Sequence, residues 1–379
     1  MARYWIGDSG NWNDTAHWST STGGGGGETV PTSTVDVYFD ALSGTGTMTA
    51  DGDDRCKNLI TTNSTLLTFA TSSPTALWVY GNILLGTGQT WNVGFALHAT
   101  DTGHTVTTSG NILRNGFSCD GAGGEWTLQD NLNIEAGSIF FDKGTFNTNN
   151  KTITQTITPD TGWDLEVGHY GTGIVNFGSS TITCGQFFYY SGTLNTGTST
   201  INVTNRNGYF DGGDKIYYIV NITGSVQDTS SDYTNLDGDN TFNTLTIGAN
   251  MEVDFEDNST QTVTNLTLRG SAGNNIVLMS NTNGTQFTLN ATNPSIAFVN
   301  VKDCIAAGNI DFVDWYGTDS GNNDNWVFQY NSGSGFSKLS DPHLKSVTNP
   351  APKLQSVMTS KSEDKVIVDS APKLEKIIS

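Results

Sequence analysis

The sequence predicts an all-β chain folded as a parallel β-solenoid (β-helix), with a Trp-rich N-terminal cap and an extended C-terminal tail. Three observations carry that expectation. First, Gly is 44 of 379 residues, Pro only 8, and charged residues only 14%, so strand and turn formers displace the charged, Ala-rich composition of helical bundles. Aromatics at 10% with nine Trp also exclude a disordered chain. Second, apolar residues alternate with Thr and Asn over short runs bounded by Gly, Asn and Ser, which is a strand period. Third, the middle of the chain repeats itself. Gly144-Thr-Phe-Asn-Thr returns as Gly173-Ile-Val-Asn-Phe and Gly192-Thr-Leu-Asn-Thr, at offsets of 29 and 19 residues. Unequal offsets suit turns whose strands repeat while their corners vary. Tandem β-sandwiches are the alternative, and would require antiparallel hairpins.

Taken in order, residues 1–45 read as the cap. Trp5, Trp12 and Trp18 would plate one end of a stack, and the run Gly23 to Gly27 reads as a flexible loop. Residues 46–330 read as the solenoid. A unit this short cannot cover its own apolar side, and stacking on neighbours supplies the cover. Asn147, Asn176 and Asn195 recur at one position, so an amide ladder is expected there. Asn58-Leu-Ile, Asn82-Ile-Leu and Asn111-Ile-Leu share a looser pattern, as do Phe242-Asn-Thr-Leu-Thr-Ile and Asn265-Leu-Thr-Leu.

Residues 331–379 read as a tail with its own repeat. Pro342, Leu344 and Val347 match Pro352, Leu354 and Val357, and then Pro372, Leu374 and Ile377. Pro bars helix across this stretch, leaving short extended pegs that gain strength by acting together. Residues 338–379 hold seven Lys and five acids, while 1–337 hold 10 basic and 32 acidic residues. The tail therefore suits an anchor on acidic neighbours. The net charge of −20 argues against nucleic acid and anionic membranes as partners. The opening Met1-Ala-Arg-Tyr-Trp is not an apolar leader, and no membrane-inserting span is expected.

No catalytic, cofactor or metal-binding set emerges. Cys56, Cys119, Cys184 and Cys304 lack zinc spacing and read as buried fillers. The five His (17, 98, 104, 169, 343) are scattered. Asp51-Gly-Asp53-Asp54, Asp237-Gly-Asp239-Asn240 and Asp319-Ser-Gly-Asn-Asn-Asp324 read as turns rather than acid pairs or calcium loops. Contact with sugars is assigned to rings at Tyr189, Tyr190 and Tyr217, although alternation sends part of each aromatic run inward.

Trp5, Gly7, Gly10 and Trp12, then Trp18, Pro31 and Asp36-Val-Tyr-Phe39, resemble the N-terminal cap of β-helical surface proteins. Autotransporter-like passengers are one such group, and virion proteins of tailed bacteriophages the nearer. Phe298-Val-Asn-Val-Lys-Asp-Cys304, followed by Asp319-Ser-Gly-Asn-Asn-Asp-Asn-Trp326-Val-Phe328, is similar to the closing turns of the same phage proteins. The resemblance spans about residues 3–330. It implies a non-enzymatic structural protein located in the virion, a head decoration or accessory fibre. Its partners would be other virion proteins of capsid or tail and a host surface glycan, and its assembly a homo-oligomer, by resemblance a trimer. The alternatives are a tailspike that binds or degrades polysaccharide, and a bacterial surface adhesin.

Overall fold

The structure is a computed structural model. It describes residues 2–72, 76–156, 164–224, 233–308 and 311–330, and the backbone of 331, 336–338, 354–358 and 365–369. Residues 1–339 and 340–379 form two separate units.

The first unit is a stack of parallel turns. Each early turn contributes one short strand to each of three faces. Thr145–Asn147, Ile153–Thr156 and Asp164–Val167 make one turn, and Ile174–Asn176, Thr181–Cys184 and Gln186–Tyr189 make the next. Strands pair in parallel with their counterparts one turn on. Phe146 faces Val175 and then Leu194 on the first face, and Ile153 faces Ile182 and then Ile201 on the second. Leu165 faces Phe187 and then Phe210 on the third, which grows to 13 strands. These inward residues are fully buried apart from the half-covered Leu194. Rings stack across turns, as with Phe69 on Trp91 at 3.8 Å and Phe255 on Phe287 at 4.2 Å.

Both sequence offsets are register offsets. Asn147 pairs with Asn176, and Asn176 with Asn195. The amide of Asn176 donates to Asn147 Oδ1 at 2.6 Å, and that of Asn195 to Asn176 Oδ1 at 2.7 Å. Asn147 in turn donates to Glu125 Oε1 at 2.9 Å, so the ladder ends on a carboxylate. The corner after the ladder needs left-handed backbone. Asn150 (φ 57°), Gly178 (φ 57°) and Gly197 (φ 57°) supply it on successive turns. Asn58 and Asn82 stack likewise, but Asn111 does not join them. Leu113 pairs with Trp91 on the second face, whereas Ile83 pairs with Val106 on the first.

From Ile216 onward the first two faces run as one strand. Ile216–Ile222, Thr241–Ile247, Thr260–Arg269 and Phe287–Ala297 pair in series. Their alternation slips once. Phe242 and Leu245 point inward with Asn243 and Thr244 both outward between them, which carries the strand round the corner. Leu245 lies over Leu266, so the echo between 242–247 and 265–268 also reflects adjacent turns.

Two antiparallel pairs occur at the ends of this unit. Ala2–Trp5 pairs with Trp18–Ser19, and Trp326–Asn331 with Phe336–Lys338. Such pairing occupies sheet edges that would otherwise recruit another chain. Trp5, Trp12 and Trp18 are fully buried, with Trp18 edge-on to both others. The expected cap region is itself partly solenoid, since Ala2–Trp5 also runs parallel to Asp36–Phe39. The glycine run is largely exposed but held at points along it. The N–H of Gly27 donates to the Thr15 carbonyl at 2.9 Å, and a Cβ on Gly26 would lie 2.0 Å from the Ala16 carbonyl oxygen.

In the second unit, Leu354–Met358 pairs antiparallel with Lys365–Asp369, Val357 opposite Val366. Leu354 and Val357 thus lie in a hairpin strand rather than on a lone extended string. Pro342, Leu344, Val347, Pro352, Pro372, Leu374 and Ile377 lie outside the described residues.

Candidate functional site

Strand alternation decides which expected rings reach solvent. Tyr217 does not. It is 1% exposed, its hydroxyl donates to the Gly212 carbonyl at 2.8 Å, and its ring meets Phe210 edge-on. Its glycan role is therefore withdrawn, because Tyr217 occupies the inward phase and Tyr218 the outward one. Tyr189 is half-buried. Its hydroxyl donates to the Gly192 carbonyl at 2.7 Å, and the Lys215 ammonium sits 4.6 Å from its ring centre. Tyr190, 46% exposed, stays available.

Tyr190 belongs to a larger aromatic surface on the outward side of the third face. Phe188 lies parallel to it at 5.7 Å, His169 at 4.7 Å, and Tyr209 lies 5.3 Å from Phe188. Tyr170 stacks on His169 at 4.0 Å, and its backbone N–H is held by Asp142 Oδ1. Tyr209 and Tyr170 are 39% and 69% exposed.

Carboxylates lie within this surface. Register carries one outward column from Phe140 to Glu166, Phe188, Asp211 and Asp237. Glu166 is only 5% exposed and is bonded through Oε2 to His169 Nδ1. Asp164 lies two residues before it on the same side of the strand. Burial first, and Glu166 second, push the Asp164 carboxyl up to about 7. Burial and the nearby Glu166, Asp164 and Asp211 charges push the Tyr190 hydroxyl to about 12. The sequence reading missed this group. The likeness of 137–143 to 185–191 places Phe140 and Phe188 two turns apart, but nothing in it marks the intervening Glu166.

The acidic turns are stitches between turns. Asp51 Oδ1 accepts from the backbone and side chain of Asn13, and Asp54 accepts from the backbone of Asp51 at 2.7 Å and from the Asn13 amide. Asp239 accepts from the Thr260 N–H, and Asp324 from the Gln286 side-chain amide at 3.3 Å. The four Cys are free and buried, with thiols pushed well up by burial.

These buried acids give a pH dependence. Burial is the first cause that raises Asp54, Asp237 and Asp254 to about 6, and Asp164 and Asp314 to about 7. In the unfolded chain each titrates near 3.9. Between those values the folded chain holds protons the unfolded chain has released. Stability should therefore fall as pH rises from about 4 to about 7, then level off. Thermal unfolding is expected at least about 2 °C higher at pH 5 than at pH 8. Asp164→Asn with Asp314→Asn should flatten the difference. A midpoint that climbs across this window would contradict it.

No protein-family model, no curated protein and no solved structure matches the chain.

Proposed function

We propose that the chain is a non-enzymatic structural protein of a tailed-phage virion. In this reading it is a surface-displayed β-helix, fastened to the particle by its C-terminal peptide and meeting host glycan with one face. The observation that carries the contact role is the cluster of the exposed Tyr170, Tyr190 and Tyr209 around the half-buried Phe188. Aromatic faces stack on sugar rings, and their few degrees of freedom keep the ordering cost low. The parallel stack supplies a stiff carrier, since every turn is hydrogen-bonded to the next. The virion setting, and assembly into trimers, rest on the resemblance of the cap and closing turns to β-helical virion proteins.

A hydrolytic role at the same face is less well supported. Glycosidic cleavage uses two carboxyl groups held about 5–10 Å apart, with room for sugar and water. Asp164 and Glu166 instead lie two residues apart on one strand, and Glu166 is 5% exposed and bonded to His169.

Deleting residues 338–379 tests the anchor. Particles assembled with the truncated chain should carry about 10²-fold less of it, the scale on which multivalent attachment exceeds a single contact. Undiminished incorporation would remove the anchoring role. Incubation of the whole chain with host surface polysaccharide should release no new reducing or unsaturated ends, and their appearance would restore the enzymatic alternative.

A further inference from the structure

The outward column on the third face alternates ring and acid: Phe140, Glu166, Phe188, Asp211, one turn apart at each step. Asp237 continues it with a second acid. Parallel strands lie about 4.8 Å apart, so like groups recur every ~9.6 Å along the stack. That interval is close to the disaccharide repeat of an extended β-linked glycan. An extended peptide advances only about 6.7 Å per two residues and falls out of step.

Charge narrows the ligand further. Asp164, Glu166, Asp211 and Asp237 cluster on this face, in a segment (1–337) with 32 acidic and 10 basic residues. One oxygen of Asp164, Oδ1, is buried without a hydrogen-bond partner. Rings on this same face already take cations. Lys215 lies over Tyr189 at 4.6 Å, and Arg55 over Trp78 at 5.3 Å, Trp78 belonging to the third face several turns earlier. A uronic-acid polymer would be repelled here, whereas an ammonium group meets carboxylate and ring face together.

We propose that this column is a binding track for a glycan whose sugars carry free amino groups, its rings stacking on Phe188 and its neighbours and its ammonium groups meeting the half-exposed Asp211 and Asp237. The proposal rests on the glycan-contact reading above and specifies its ligand class.

The test is calorimetric titration of the full chain at pH 6 and low salt with four probes: hexamers of β-1,4-linked glucosamine, of N-acetylglucosamine and of galacturonate, and hexalysine. The glucosamine hexamer should bind at least about tenfold more tightly than the acetylated one, a difference of about 1.4 kcal/mol. Galacturonate should bind weakest. Asp211→Asn, which keeps shape, should weaken only the glucosamine hexamer, by about twofold to fivefold. Phe188→Ala should weaken both hexosamine oligomers. Equal binding of amine and acetylated forms would overturn the amino-sugar assignment and leave glycan contact standing. Absence of binding by all three sugars would remove both. Hexalysine binding as tightly as the glucosamine hexamer would overturn the assignment in favour of charge recognition alone, as would a preference for galacturonate.

Discussion

Replacing Trp18 with alanine is expected to destabilise the first unit by about 3–5 kcal/mol, the cost of emptying a large aromatic site in a core. Trp18 is fully buried and lies edge-on to Trp5 at 5.1 Å and to Trp12 at 4.9 Å, with Phe39 at 6.2 Å. Its indole N–H donates to the Trp12 carbonyl at 2.7 Å, so the variant also leaves that buried acceptor unpaired. The strand it belongs to is the antiparallel partner of Ala2–Trp5. Loosening it frees a sheet edge, and self-association should follow. A stack of turns need not unfold in one step. Amide exchange should therefore be read beside denaturant unfolding, with the greatest loss of protection in residues 2–19. A cost below about 1 kcal/mol, or loss of protection spread evenly along the stack, would show that the indole does not seal this end.

How much of this was legible follows from where the chain repeats itself. Asn147, Asn176 and Asn195 sit in near-identical surroundings, so their offsets could be read as register, and the amide ladder with them. Asn111 misled because an Asn followed by two apolar residues suits any face of such a stack, and only pairing distinguishes the faces. The fusion of two faces after Ile216 depends on a missing corner. The run Ile216-Tyr-Tyr-Ile-Val-Asn-Ile has no left-handed residue, whereas Asn150, Gly178 and Gly197 turn the earlier strands. The same run hid the phase of Tyr217 and Tyr218. Two adjacent tyrosines can take either order in an alternating strand, and the slip shared with Phe242 puts Tyr217 inside.

The candidate site was less legible for a related reason. Asp164 and Glu166 are two residues apart, which already places them on one side of a strand. Bringing them beside Phe140, Phe188 and Asp211 requires offsets of 26, 22 and 23 residues. No motif recurs at those three spacings. The loops between turns differ in length, and the register is carried by the inward column Phe141, Val167 and the half-buried Tyr189 and its fully buried neighbour Leu165, Phe187 and Phe210. Apolar residues of such varied shape serve the packing without spelling out a repeat.

The parallel, in-register stack on which all of this depends is tested most directly by two cysteine pairs. Asn176 and Asn195 are register partners on adjacent turns, about 4.8 Å apart, within the span a disulfide bridges. Asn147 and Asn195 lie two turns apart, about 9.6 Å, beyond that span. The native cysteines are all buried and should not compete. After mild oxidation, the chain carrying Asn176→Cys and Asn195→Cys should form an internal disulfide, seen as a mobility shift of the denatured, unreduced chain that reductant abolishes. The chain carrying Asn147→Cys and Asn195→Cys should stay reduced. Closure of the second pair, with the first left open, would contradict the stacked turns and everything built on their register.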